Sequence, residues 1–490
     1  MSLAETCAWT LARTVALCLL AWPVAHVLER RLRSASDRTR PWLLAGVLAP
    51  FCFPELLVGY AFRDFALARP EWAETLCSGL LFVRIVPVGA CALLAAPHRE
   101  RDSAAIHCRW LLVRAGQSTR YDWFELTRCY WHGPIARALP ALALMSLVAF
   151  QEFETAALLQ TMSWTDWFVA AQRVGLNRTE MLGKSLWPLL LQLPVLLGVM
   201  RWLSRTTDFH GDETSNDRGD AQPSRHRTMT WFAILYIAIA GIVGCLIPLS
   251  LIGWRAADGF NLLLRQRSQQ LGLAREIVTA GCVALCAGIA AWTLSRRTSR
   301  SLQRGILLPG LFGSLLLSLI VVEMFQQSWL RPLYDTPLPW LLALTLWLLP
   351  RAAILRVWLQ VTRRNEAVHL AEMLEGARGK GRGTRDGTTR PSSSYPLPLV
   401  PCPSPLLWRL RDEPRFLAVS LLCFWAYCDL PTAYLLAPSG MASGLVRLYN
   451  FMHYGRSAAL SVEACLFFGA PIVCVSLVLA AVRWWWRATA

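Results

Sequence analysis

The chain has 490 residues, of which 55% are hydrophobic and 17% charged, with 49 basic against 32 acidic residues and a formal charge of +17. Soluble globular domains are about 25% charged, so this composition argues against a water-soluble enzyme. The dominance of apolar residues, with no Gly-X-Y period, excludes disorder and collagen.

Apolar runs of about 20 residues are long enough to cross a bilayer as helices. Eleven occur, near 8–28, 42–61, 76–97, 138–160, 182–204, 229–254, 275–295, 305–325, 337–359, 416–437 and 458–482. The predicted class is an all-α, polytopic membrane protein with about 11 transmembrane helices. The first run has no positive segment before it and is followed by Arg30, Arg31 and Arg33. It therefore reads as a retained span with its start outside, not as a signal peptide. Alternating from there, the inside segments hold 32 basic residues and the outside segments 10. Arg and Lys resist translocation, so the split predicts an outside N-terminus and a cytoplasmic C-terminus. The charge excess is then a topogenic signal, and no nucleic-acid partner is expected. An outside start with no leader is unusual and suggests a missing preceding span. Cys282 and Cys286, four apart on one helix face, read as buried thiols rather than a metal site. No metal site is predicted.

The chain echoes itself. Glu152-Phe153-Glu154-Thr155-Ala156-Ala157-Leu158-Leu159 in the fourth run matches Asp429-Leu430-Pro431-Thr432-Ala433-Tyr434-Leu435-Leu436 in the tenth, at an offset of 277. Val15-Ala16-Leu17-Cys18 matches Val283-Ala284-Leu285-Cys286 at an offset of 268, and Pro50 and Pro309 each open a Leu-rich span. These echoes predict two tandem repeated halves, 1–204 with five spans and 229–490 with six, joined by a polar cytoplasmic linker at 205–228. The first half would lack its first span.

No phosphate loop is present: Gly183-Lys184-Ser185 ends like one, but Arg178 stands where the earlier glycine belongs. No hydrolase pattern stands out, and no catalytic residue is assigned. The informative outliers are acids within or at the rim of spans: Glu55, Glu152, Glu154, Glu323, Asp429 and Glu463. An ionised carboxylate in hydrocarbon costs roughly 2.5–3.5 kcal/mol on insertion scales, so such groups face a cavity or a partner. Arg351 and Arg356 read as snorkelling to the cytoplasm from the ninth span. Two inside segments are long. The first, 98–137, is amphipathic, with Trp110, Leu111, Leu112, Gly116, Trp123 and Phe124; the second, 360–415, carries a short helical piece and a low-complexity insert at 376–405.

The run Arg447-Leu448-Tyr449-Asn450-Phe451-Met452-His453-Tyr454-Gly455, after Asp429-Leu430-Pro431-Thr432 and Ala437-Pro438-Ser439-Gly440, resembles the end of iron(III)/thiamine-type ABC importer permeases. These are fused two-half inner-membrane subunits, usually with twelve spans. The resemblance implies a permease that binds no cofactor itself and works with separate ATP-hydrolysing subunits and a periplasmic or extracellular solute-binding protein. It implies a substrate such as ferric ion or another small cation, and the inner membrane of a bacterium. Each half of the family carries an EAA-x3-G loop that docks the ATPase. Here only Gly116 fits in the first loop, and only Ala371 and Gly376 in the second. Docking carries over to these loops as places, with Trp123 and Phe124 as further candidates. The remaining candidates are Glu152, Glu154 and Asp429 for the path or outer vestibule, and Tyr449, Asn450 and His453 for the outer gate or docking surface. The alternative is a self-contained ion-coupled transporter or channel with the acids as proton relays.

Overall fold

The apolar runs fold as helices, and no strand occurs among the described residues. The computed structural model describes residues 2–96 except 37, 135–206 except 176 and 177, 226–297 except 266, 307–362, and 408–489 except 442, 455 and 456. Residues 110, 111, 127 and 373 are also described. The linker 205–228, the amphipathic segment 98–137 and the insert 376–405 therefore lie largely or wholly outside the described residues.

Seven described helices are long and apolar enough to cross a membrane, or up to nine if two bent pairs each count as one span. The departure from eleven has a local cause, because several runs that look continuous in hydropathy are broken in the backbone. Helix α1 (Leu3–Ser34) is unbroken and starts with a capping box between Ser2 and Glu5. The second run splits into α2 (Arg40–Cys52) and α3 (Glu55–Ala68), bent by 65°. Helix α4 (Pro70–Ala95) follows after Arg69. The fourth run becomes α5 (Ala136–Phe150) and the short α6 (Glu154–Leu159). At about 1.5 Å per residue, α5 is about 22 Å long and falls short of a hydrocarbon core of about 30 Å. The amphipathic α7 (Trp164–Arg173) and the long α8 (Arg178–Thr206) complete this stretch.

Helices α9 (His226–Gly241) and α10 (Ile247–Arg265) form one long span through a π-helical turn at Ile242–Leu246. Gly244 in that turn lets it approach Pro50 of α2; a Cβ there would lie 3.0 Å from the proline ring. After α11 (Arg267–Arg297), the run predicted at 305–325 breaks before α12 (Ser314–Gln326). Helix α13 (Leu338–Thr362) is continuous despite Pro350. The tenth run is α14 (Glu413–Tyr427) and α15 (Leu430–Leu436), bent by 52° across the break. The amphipathic α16 (Gly444–Tyr454) leads to α17 (Ser457–Thr489).

Burial divides into two apolar cores. One is built mainly from α1, α2, α4, α5, α8 and α9, the other mainly from α11 to α17 with α7 and Ile252 of α10, and α3 and α6 contribute to both. Phe53 and Phe312 pack against both, each inside a helix break. Cys282 and Cys286 are exposed on α11, so the expectation of buried thiols is corrected: their helix face points away from both cores.

Candidate functional site

Four helix breaks border one cavity, and local sequence explains each. Pro54 drives the preceding Phe53 out of the helical region, to φ −72° and ψ 137°, so α2 cannot run on into α3. Gln151, Glu152 and Phe153 separate α5 from α6. Gly313 sits at φ +90° before α12, a region that favours glycine, and a Cβ there would lie 3.0 Å from Gln151 Cδ. Asp429, extended at φ −79° and ψ 98°, precedes Leu430-Pro431, and Pro431 fits a helix start because its missing N–H has no partner to lose.

A broken backbone in an apolar interior must find its hydrogen bonds elsewhere. Trp164 Nε1 donates to the Phe150 carbonyl at 2.6 Å, and Thr165 Oγ1 donates to that of Glu152 at 2.6 Å. Gln151 Nε2 donates both to Gln192 Oε1 at 2.7 Å and to the Leu311 carbonyl at 2.6 Å, which ties the second break to the third. The acids cap the restarted helices. Thr155 N donates to Glu152 Oε1 at 2.7 Å, and Thr432 N donates to Asp429 Oδ2 at 3.1 Å. Both run from the N–H of residue i+3 to a carboxylate at the helix start, from the N-cap itself in α15 and from the residue before the N-cap in α6. Thr432 Oγ1 also donates to Asp429. Glu154 reaches across the interior, where its Oε1 accepts the Leu430 N–H at 3.3 Å. The three acids proposed from the sequence are all buried and all brought together here.

They border a cavity of about 310 Å³, to which both helix bends and α4, α5, α13 and α14 contribute. It extends from the breaks towards Ala95 of α4 and Trp358 of α13. Two arginines line it. Arg84 of α4 is ion-paired with Glu55 and interacts electrostatically with Glu152 and Glu154. Arg351 of α13 stacks on Trp347 with its guanidinium 3.8 Å from the ring centroid, donates to the Trp347 carbonyl at 2.8 Å and interacts electrostatically with Asp429. Arg351 is therefore turned into the cavity and does not snorkel to an end of its helix. Arg84 received no role from the sequence, although a lone arginine well inside an apolar run is the kind of signal that marks a functional interior. Glu55, noted only as an outlier, gains a partner and a place.

An aromatic group packs against the second break. Tyr449 of α16 is buried at 2% exposure, with its ring 6.3 Å from Phe153 and 6.3 Å from Tyr434. Asn450, beside it, is exposed. His453 is in the last turn of α16, with its side chain outside the described residues. Gly116, Trp123, Phe124, Ala371 and Gly376 also lie outside them. Among the described residues no group of three or more His, Cys, Asp or Glu is arranged to hold a metal ion. Glu323 and Glu463 do not line the cavity; Glu463 shares Arg447 with Glu276, at 3.2 Å and 3.1 Å. No protein-family model matches the chain, and no curated protein or solved structure matches it.

Proposed function

We propose that this helical membrane protein is the membrane-spanning permease subunit of an ATP-driven ABC importer. In this reading the chain is two tandem halves of about eleven spans in all, with a path between them and its outer end at the breaks. The observation that carries it is the cavity bordered by both members of the acid-x-x-Thr pair, Glu152 and Asp429. Residues 277 apart in sequence cap two helix restarts in the same way and border the same space. Two further correspondences support the pairing. Helices α3 and α12 begin 259 residues apart, at Glu55 and Ser314, and Arg84 and Arg351 stand on α4 and α13, which lie at corresponding places in the two halves. Discontinuous helices around a polar centre, in repeated halves, are a recurrent way to build a transport path.

With the sidedness inferred from charge, the end of the cavity towards Ala95 and Trp358 is cytoplasmic. The aromatic group at Phe153, Tyr434 and Tyr449 then closes the outer side. The described conformation is an inward-facing state, and separate ATPases docking on 98–137 and 360–415 would drive its exchange with an outward-facing one. A binding protein would deliver the solute near α7 and α16. The cavity carries carboxylates and guanidiniums, so it suits a small charged solute, with iron(III) as the first to try.

The test is co-expression with ATPase and binding-protein genes from the same gene neighbourhood, then purification and iron(III) uptake in vesicles. Co-purifying ATPase and ATP-dependent uptake support the reading; neither appearing overturns it. The ion-coupled alternative is favoured by one observation, the closeness of buried acids to Arg84 and Arg351, and predicts uptake by the purified chain alone under a proton gradient.

A further inference from the structure

Arginines from three helices converge where α11 ends. Helices α11, α13 and α14 pack against one another in pairs. Gly288 of α11 brings its helix close to α14, since a Cβ there would lie 2.6 Å from Cys423 Sγ. Eight residues further towards this end, α11 carries Arg296 and α14 carries Arg415, so the two stand level, about 12 Å beyond the close approach. Arg356 of α13 donates to the Ser295 carbonyl, next to Arg296. It interacts electrostatically with Arg296 and Arg415, and Arg415 interacts with Arg296 and Arg411. The carboxylate in this group is Asp412, which Arg411 holds at 3.0 Å and Arg415 at 3.4 Å. The neighbouring Glu413 is paired with Arg483.

Guanidiniums gathered in this way repel unless an anion joins them. The adjoining segments are short of acids by sequence. Residues 296–304 hold four arginines and no acid, and 360–415 hold ten basic against six acidic residues. Arg296 lies over the Trp292 ring, 5.2 Å from its centroid, and makes no hydrogen bond to a described residue. Its forked donors match the oxygens of a phosphate. An apolar stripe runs up to it. Val278, Leu285, Ile289 and Arg296, spaced seven, four and seven residues apart, share one face of α11, and all four are exposed. A free phosphate ion gains nothing from such a stripe, whereas a lipid has an acyl chain to lay along it.

We infer that this junction binds an anionic membrane lipid, with its phosphate among Arg296, Arg356 and Arg415 and an acyl chain along α11. Basic pockets between helices at the cytoplasmic surface are suited to anionic headgroups, and the sidedness inferred from charge puts this end there. A lipid so placed ties the ends of α11, α13 and α14 together. The inference stands without the importer reading.

The experiment uses the full chain in a neutral detergent, titrated with phosphatidylglycerol, phosphatidylcholine or inorganic phosphate, with bound species counted by native mass spectrometry. Phosphatidylglycerol is expected to bind in preference to phosphatidylcholine, and inorganic phosphate at the same concentration is expected not to displace it. Arg296→Gln should leave unfolding in detergent unchanged and weaken phosphatidylglycerol binding about fivefold. Arg30→Gln, an exposed arginine near the end of α1, should leave the affinity unchanged. Phosphatidylglycerol with a photoreactive group in its acyl chain should label α11 around Ile289, less so in Arg296→Gln. Equal binding of the two lipids, displacement by inorganic phosphate, or equal weakening by Arg30→Gln would each overturn the inference. Absence of the label from α11 in the unaltered chain overturns it whatever the variants do.

Discussion

The break at Glu152 and the break at Asp429 solve one problem with different resources. Each ends a helix, turns, and restarts with a carboxylate capping the N–H three residues on. The first then carries a second acid, Glu154, where the second carries Pro431. Proline removes a donor and leaves the adjacent Leu430 N–H to be satisfied, and Glu154 satisfies it from across the interior. The arginines differ in the same way. Arg84 is held by a carboxylate, Glu55, whereas Arg351 is held by an indole face and a carbonyl of its own helix. In the two-half reading proposed above these are equivalent places that have diverged, with more acid on one side and more aromatic surface on the other, and the repeated frame then presents an unsymmetrical lining.

Removing one partner from a half-buried ion pair inside a span costs more than removing a stacked cation, so the largest expected contrast is between the arginines. Arg84→Ala should lower stability by about 2 kcal/mol by stranding Glu55, and adding Glu55→Gln should recover part of that loss. Arg351→Ala should cost visibly less in the same detergent unfolding assay. Equal losses would break the comparison. The breaks themselves rank next. Gly313→Ala forces a side chain into a positive-φ site against Gln151 and should cost about 1–3 kcal/mol. Pro54→Ala, at an unstrained φ, should cost less than about 1 kcal/mol. Asp429→Ala removes a cap worth about 1 kcal/mol, while Asp429→Asn keeps it. If Asp429→Asn is as unstable as Asp429→Ala, the carboxylate does more than cap.

The smallest effect lies outside the spans. Asp335 accepts hydrogen bonds from Ser439 N at 3.0 Å and from its hydroxyl at 2.9 Å, which hold its carboxyl below the usual aspartate range. A depressed folded-state value means that the tie is fully present above the ordinary aspartate range and is lost as pH falls through the folded value. Hydrogen exchange at Ser439, corrected for its intrinsic pH dependence, should quicken only in that acid window, and Asp335→Asn should quicken it at neutral pH.

The helical class was legible because hydropathy is a local property. Glu152, Glu154 and Asp429 stood out in the sequence as acids in apolar runs, two of them at matching places of the echo, but their contacts at the helix starts were not read there. The interruptions were less legible, since a hydropathy window sums side chains and is blind to φ and ψ. Pro54 and Gly313 carried the information in single letters, and each lies inside a run that looks continuous. Arg84 and Arg351 depend on which way a helix face turns, which only packing decides. Tyr449 belongs to the same class: its run, Arg447 to Gly455, looks like surface chemistry, yet the ring is buried against Phe153.

The central claim is that the space between the breaks is a solute path open alternately to the two sides. Cys428 lines that space beside Asp429 and has a free thiol. With the other cysteines replaced, a charged, membrane-impermeant maleimide should label Cys428 from the cytoplasmic face in the resting state and from the outer face during ATP turnover with the binding protein present. Labelling from neither face in either condition, while a cysteine placed at the exposed Asn450 labels from outside, would contradict the account.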